Sequence, residues 1–200
     1  IRGKETFKIG STDLQLSGER LLYSGGLPTS YSVWNRELDG TVLEGGLVSE
    51  GYEQVKELKY DDASMLLESV DRPTFPSEAK TAYLWSYDSA YVVAQITNIS
   101  RSELDAKLLD SAVNSSRSAL LTDTTTTDIK NVLVSLKAKL SPSYQLMTIY
   151  LYDSPYGVTE IIDPNGLKTT YQYDDFGRLV TVKDDDEYVL VENEYNYSNQ

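Results

Sequence analysis

The chain has 200 residues, 40% of them apolar, with 31 acidic against 18 basic side chains and a formal charge of −13. That length can bury a real core, whereas the negative field repels a sugar-phosphate backbone and an anionic membrane surface. His and Cys are both absent, which removes Ser–His and Cys–His nucleophiles, disulfides and the ligands zinc prefers. Sixteen tyrosines against three phenylalanines and two tryptophans favour sheet over helix, because a tyrosine ring packs on a pleated surface while its hydroxyl reaches water. No run of 18 apolar residues exists to span a bilayer. The chain opens on Ile1 rather than Met, so it reads as a piece of something longer, with any export signal upstream.

Residues 1–57 form an N-terminal β segment without a recognised motif. Thr6 to Ile9 precedes Gly10-Ser11, Leu21 to Tyr23 precedes Ser24-Gly25-Gly26, and Gly40 and Gly45-Gly46 interrupt later runs. Such punctuation predicts short strands in hairpins or an irregular meander. Residues 58–98 contain Tyr60-Asp61-Asp62, then Tyr83-Leu84-Trp85-Ser86-Tyr87, whose alternation predicts Tyr83, Trp85 and Tyr87 on one strand face. Pro73 and Pro76 fall between these strands, where a loop tolerates them.

Residues 101–140 change style. Ser102-Glu103-Leu104-Asp105 suggests a capping box with Asp in the place of Glu, followed by Leu104, Leu108, Leu109 and Ala112 on one helical face. After the threonines at 124–127, Ile129, Val132, Leu133, Leu136 and Leu140 recur at helical spacing and stop before Pro142. Two helices inserted between β segments are expected here.

Residues 144–200 return to alternation. Leu146, Thr148, Tyr150 and Tyr152 share one predicted face, as do Leu167, Thr169, Tyr171 and Tyr173, and Val189, Val191, Tyr195 and Tyr197. Tyr150-x-Tyr152-Asp153, Tyr171-x-Tyr173-Asp174 and Tyr195-x-Tyr197 recur at spacings of 21 and then 24 residues. A repeat of this length is one hairpin-sized unit that must stack on its neighbours to bury its apolar face. Asp163-Pro164-Asn165-Gly166 and Asp174-Asp175-Phe176-Gly177 are turns with a mechanism. The aspartate carboxylate accepts from a backbone N–H two residues on, and Gly permits positive φ. Turns too short for a crossover make the strands antiparallel.

The block Tyr173-Asp174-Asp175-Phe176-Gly177-Arg178-Leu179, with Asp163 to Gly166 followed by Tyr171-x-Tyr173, resembles the RHS/YD-repeat family. The resemblance covers about residues 144–198 and extends in degenerate form over 58–98, where Ala63-Ser64-Met65 stands for x-Gly-Arg. A second departure is Glu187 in Asp184-Asp185-Asp186-Glu187, where the motif has Gly. The resemblance implies a mainly β (α+β) protein of antiparallel YD-type hairpins in a sheet or ribbon, with a two-helix insertion at about 101–140. It further implies structural roles for Tyr152, Asp153, Asp163, Gly166, Tyr171, Tyr173, Asp174, Gly177, Arg178 and Leu179. It places the chain outside the cell or on its surface. The function expected is that of a non-catalytic structural or interaction module of a larger exported protein. Its partners would be neighbouring repeats of the parent chain, with self-association through sheet edges.

Other readings of the residues are weaker. Trp85 with Tyr83 and Tyr87, or Trp34, could stack sugar rings, although aromatic stripes at strand spacing are usually packing surface. Paired carboxylates could cleave a glycoside if a cleft held two of them at the required separation. Asp184 to Glu187 could ligate calcium but lack the spacing of an EF-hand loop, so a solvated turn is expected. Arg178 is expected to pair with an acid on the next strand. Asn98, Asn114 and Asn196 open N-x-Ser/Thr triplets, read as coincidental. No cofactor or metal site is expected.

Overall fold

A computed structural model describes residues 3–9, 12–35, 52–73, 78–110, 113, 120, 125–153 and 156–195. The chain divides into two compact units, residues 1–80 and 81–200, so the boundary falls inside the segment 58–98. It is mainly β, with antiparallel strands and a helical insertion, as the composition and the resemblance implied.

The first unit holds β1 (Gly3–Ile9), β2 (Thr12–Ser24), β3 (Leu27–Asn35), β4 (Glu53–Tyr60) and β5 (Leu66–Asp71), each antiparallel to the next. Short broken pieces were expected here, yet β2 runs 13 residues straight through Gly18. Gly18 pairs with Lys4 on one side and Trp34 on the other, and two ladders hold a glycine that one ladder would leave loose. Gly10, Gly40, Gly45, Gly46 and Pro76 lie outside the described residues.

The second unit contains β6 (Ala79–Ser86, beginning at the border), β7 (Tyr91–Thr97), β8 (Met147–Asp153), β9 (Gly157–Ile162), β10 (Lys168–Tyr173), β11 (Leu179–Lys183) and β12 (Val189–Glu192). They pair antiparallel in chain order. Helices α1 (Arg101–Leu108) and α2 (Thr126–Lys137) lie between β7 and β8.

The α2 face foreseen from spacing is the core: Ile129, Val132, Leu133 and Leu136 are buried, and Leu140 follows in the next turn. They pack with Leu104 and Leu108 of α1 and with Ala82, Leu84, Ile96, Met147, Ile149 and Leu151 from β6 to β8. Burying each large aliphatic side chain contributes about 1.5–3 kcal/mol, enough to hold helices that would be marginal alone. Two lysines fasten α2 to β9 and the turn after it, Lys130 pairing with Glu160 and Lys137 donating to the Asp163 carbonyl at 2.6 Å.

Two local expectations are corrected. The α1 cap is Ser100, whose hydroxyl accepts from Glu103 N–H while the Glu103 carboxylate accepts from Ser100 N–H. Ser100-x-x-Glu103 is the full capping box, so the helix starts earlier than Ser102 implied, and Leu109 becomes its exposed C-cap. Ala112 and Thr124 lie outside the described residues. Tyr87 does not continue the Tyr83–Trp85 row. β6 ends at Ser86, and Tyr87, Asp88 and Ser89 all have positive φ (54°, 55° and 63°), which turns the chain out of the pleat. In β8 the buried set is Met147, Ile149 and Leu151. Thr148, Tyr150 and Tyr152 alternate with them on the less buried face, as expected, and Tyr152, part-buried, also packs against the core cluster.

Candidate functional site

Four reversals share one construction. In each, an aspartate carboxylate oxygen accepts the backbone N–H four positions on, and in three of them also the N–H two positions on. Asp61 holds Ala63 and Met65 (3.0 and 2.8 Å), Asp174 holds Phe176 and Arg178 (3.0 and 2.9 Å), and Asp184 holds Asp186 and Tyr188 (3.1 and 2.9 Å). Asp163 holds Leu167 at 2.8 Å in the same way, and its other oxygen takes the Asn165 side-chain amide. The aspartate backbone N–H and C=O bond across the loop to positions four and three on. Position three always has positive φ: Ser64 (69°), Gly166 (97°), Gly177 (74°) and Glu187 (65°). This is a turn closed by a left-handed residue, the usual geometry of a short hairpin loop with a bulge. The Gly of Asp-x-x-Gly therefore answers a backbone requirement, and Ser64 and Glu187 meet it at a steric cost.

Tyrosines complete the pattern on one side. The residue before Asp61 is Tyr60, whose hydroxyl donates to the Pro28 carbonyl at 3.0 Å. The residue before Asp174 is Tyr173, donating to Val158 O at 2.9 Å, and Tyr152 before Asp153 donates to Val92 O at 3.0 Å. In every case the acceptor is the second residue of the strand preceding the tyrosine's own. Tyr195 continues the series with a 2.9 Å bond to Leu179 O. Val158 lies six residues beyond Tyr152, and Leu179 six beyond Tyr173. Tyr195, 22 residues after Tyr173, is thus the structural successor. The Tyr-x-Tyr spacing points to Tyr197 instead, which lies outside the described residues. Burial raises the phenol pKa of Tyr60, Tyr152 and Tyr173, with neighbouring tyrosines adding to the rise at Tyr152 and Tyr173. These hydroxyls remain donors across the ordinary pH range.

Antiparallel order puts successive reversals at opposite strand ends, so the two ends differ chemically. The end carrying Asp153 and Asp174 is aromatic. A Cβ on Gly157 would lie 3.2 Å from the Tyr173 hydroxyl, and one on Gly177 would lie 3.1 Å from the Tyr156 ring. Glycine is needed at both places for close approach as well as for φ. The end carrying Asp163 and Asp184 is ionic. There Asp185 accepts Lys168 N–H at 3.0 Å, and Lys168 pairs with Glu187. Asp184 to Glu187, weighed above as a calcium loop, spend Asp184 on the turn itself. Among the described residues no group of three or more acids is clustered as metal ligands.

The remaining sequence candidates fall as follows. Arg178 pairs with Asp174 of its own turn, Nε at 2.7 Å and a terminal nitrogen at 2.6 Å, rather than with an acid on the next strand. Its guanidinium carbon also stands 4.3 Å from the Tyr195 ring centre and 5.2 Å from that of Phe176. The Arg178 side-chain bond, followed by backbone N–H donors, holds the Asp174 carboxyl below its ordinary pKa. At Asp163 partial burial acts upward, but hydrogen bonds from Leu167, Asn165 and Gly166 outweigh it, and the pKa is again lowered. Tyr171 pairs with Val182 in mid-strand, and Leu179 opens β11 opposite Tyr173. Asp153 lies opposite Gly157, whose positive φ (133°) comes one place later than the positive-φ residue of the four turns above.

Of the proposed sugar platform, Tyr83 and Trp85 stay on β6, and Trp34 stands on β3 in the first unit. Tyr87 is taken away from them. Its ring packs edge-on to Tyr91 and Tyr152, and its hydroxyl contacts the Tyr152 carbonyl (3.1 Å) and N–H (3.2 Å) and the Thr126 hydroxyl (3.4 Å). The Asn98 amide donates to Tyr144 O at 2.8 Å, while Asn114 and Asn196 lie outside the described residues.

Residues 152–187 match the family model described as RHS Repeat. The matched stretch begins at Tyr152 and ends at Glu187, so it contains the Asp163 and Asp174 turns whole and the Asp184 turn up to its positive-φ residue. The segment is similar to the RHS/YD-type structural repeats of larger proteins. No curated protein matches the chain.

Proposed function

We propose that this chain is a non-catalytic structural module of a larger, exported repeat protein, extending a β-sheet by adding hairpins that interlock end to end. The observation that carries this reading is the tyrosine ladder. Tyr173 bonds to the strand after the Tyr152 reversal, and Tyr195 to the strand after the Tyr173 reversal. Each repeat thereby closes a polar group on the one before it and offers a fresh carbonyl to the one after. Stability in such an array is a sum of unit and nearest-neighbour terms. An extracellular or surface location accords with the matched repeat family.

At β12 all four residues are exposed, including Val189 (53%), Leu190 (58%) and Val191 (44%). Apolar side chains on both faces of a strand suit one that continues into further sheet, and they make self-association through this strand the expected behaviour of the module alone. The test is to append a second copy of residues 174–195 directly after Tyr195. Interlocking repeats raise the urea midpoint and slow amide exchange in β11 and β12. An appended copy that melts separately and leaves those amides unchanged contradicts the reading.

A further inference from the structure

We infer that a hollow beside Asp153 is an acceptor site for the guanidinium of an arginine presented by a basic partner segment. Two successive reversals at the aromatic end can be compared directly. Tyr195 relates to Asp174 as Tyr173 relates to Asp153, since each hydroxyl bonds to the carbonyl five residues past its aspartate, at Leu179 and Val158.

At the later reversal, the residue four past the aspartate is Arg178. Its guanidinium is gripped by the Asp174 carboxylate (2.7 and 2.6 Å) and covered by the Tyr195 ring (4.3 Å). At the earlier reversal that residue is Gly157, which has no side chain to place there. Beside Asp153 lies an open hollow of about 480 Å³ lined by Asp153, Tyr156, Tyr171, Tyr173, Asp174 and Asp175, among others. Among the described residues no lysine or arginine is paired with Asp153.

The chain thus shows, one repeat further on, what an aspartate and a tyrosine in this relation hold. It cannot fill the earlier place from position 157. Gly157 has φ +133°, and a Cβ there would meet the Tyr173 hydroxyl at 3.2 Å. The cation therefore comes from another segment. Arginine fits better than lysine, because its planar fork matches a carboxylate and its weakly hydrated face stacks on an aromatic ring. The net charge of −13 steers a basic segment toward this surface.

The experiment is a nitrogen-15 NMR titration of the whole chain with N-acetyl-arginine amide, N-acetyl-lysine amide and the neutral isostere N-acetyl-citrulline amide. Saturable shifts at Asp153, Tyr156, Tyr171 and Asp175 with arginine, weaker with lysine and absent with citrulline, are expected. Asp153→Asn should weaken arginine binding about three- to fivefold, the scale of a part-exposed ion pair. Asp175→Asn, outside the Tyr152–Val158 ladder, serves as a second variant if Asp153→Asn disturbs the turn. Equal responses to arginine and citrulline, equal responses to arginine and lysine, or arginine shifts indifferent to both substitutions would overturn the assignment. None of these outcomes bears on the repeat reading, which the appended copy tests.

Discussion

The hydroxyl of Tyr173 donates to the carbonyl of Val158 at 2.9 Å, across the boundary between one hairpin and the next. A neutral hydrogen bond of this kind contributes about 0.5–1.5 kcal/mol net, and its loss strands a part-buried acceptor. Tyr173→Phe is expected to lower the unfolding free energy of the second unit by about 1 kcal/mol, read as a shift in urea midpoint at constant slope. Tyr195→Phe, whose ring is more exposed, should cost less. An equal or larger loss at Tyr195 would show that burial does not set the strength of these bonds.

Ser64 and Gly177 occupy the same left-handed position in two copies of one turn. A side chain there costs about 1–2 kcal/mol, partly offset by the chain entropy that a glycine loses on folding. Ser64→Gly should therefore stabilise the first unit by about 0.5–1 kcal/mol. Gly177→Ala should destabilise the second by about 1–2 kcal/mol, or more, since its Cβ would also crowd the Tyr156 ring at 3.1 Å. Thermal unfolding of both variants checks the opposite signs.

Asp174 is held below its ordinary pKa of 3.8, chiefly by Arg178, and Asp163 is lowered by its turn N–H groups once burial is overcome. A depressed folded-state value means that the unfolded chain binds protons first as pH falls. The contribution is complete above 3.8 and is lost as pH drops through the folded-state values. Asp174→Asn should thus flatten the loss of stability with acidification below about pH 4 while leaving its slope near pH 7 unchanged. Urea midpoints across that range are the measurement. An unchanged acid slope would mean that the Arg178–Asp174 pair persists in the unfolded chain.

Val189 and Val191 lie on β12, where the apolar residues meet solvent. Replacing Val191 with Lys should abolish concentration-dependent association of the module, measured by sedimentation, because a charged side chain discourages strand-to-strand addition. Association that persists would place the contact on another surface.

Much of this construction was legible in the sequence, and the failures have physical reasons. Ile129, Val132, Leu133 and Leu136 declared α2 because burial on one face leaves a helical period. Asp163 and Gly166 declared a turn because few residues serve those backbone positions. Tyr87 failed because alternation assumes a continuing pleat, and three consecutive left-handed residues end it. Ser102-x-x-Asp105 resembles a capping box, but Ser100-x-x-Glu103 satisfies the rule in full, so the cap is legible in the sequence at Ser100. Tyr197 displaced Tyr195 because a motif records residue types, whereas the ladder depends on which hydroxyl reaches which carbonyl. Nothing in the letters of Asp184 to Glu187 announced the same turn without its glycine, since the backbone bonds that define it involve no side chain at position 187.

Amide hydrogen exchange on Tyr173→Phe beside the unaltered chain tests the interlocking most directly. If the tyrosine couples neighbouring hairpins, protection should fall together across β9, β10 and β11, while β6 and β7 keep theirs. A change confined to residues adjoining Tyr173, with β9 and β11 exchanging as before, would show that each hairpin stands without its neighbour's hydroxyl and would contradict the account.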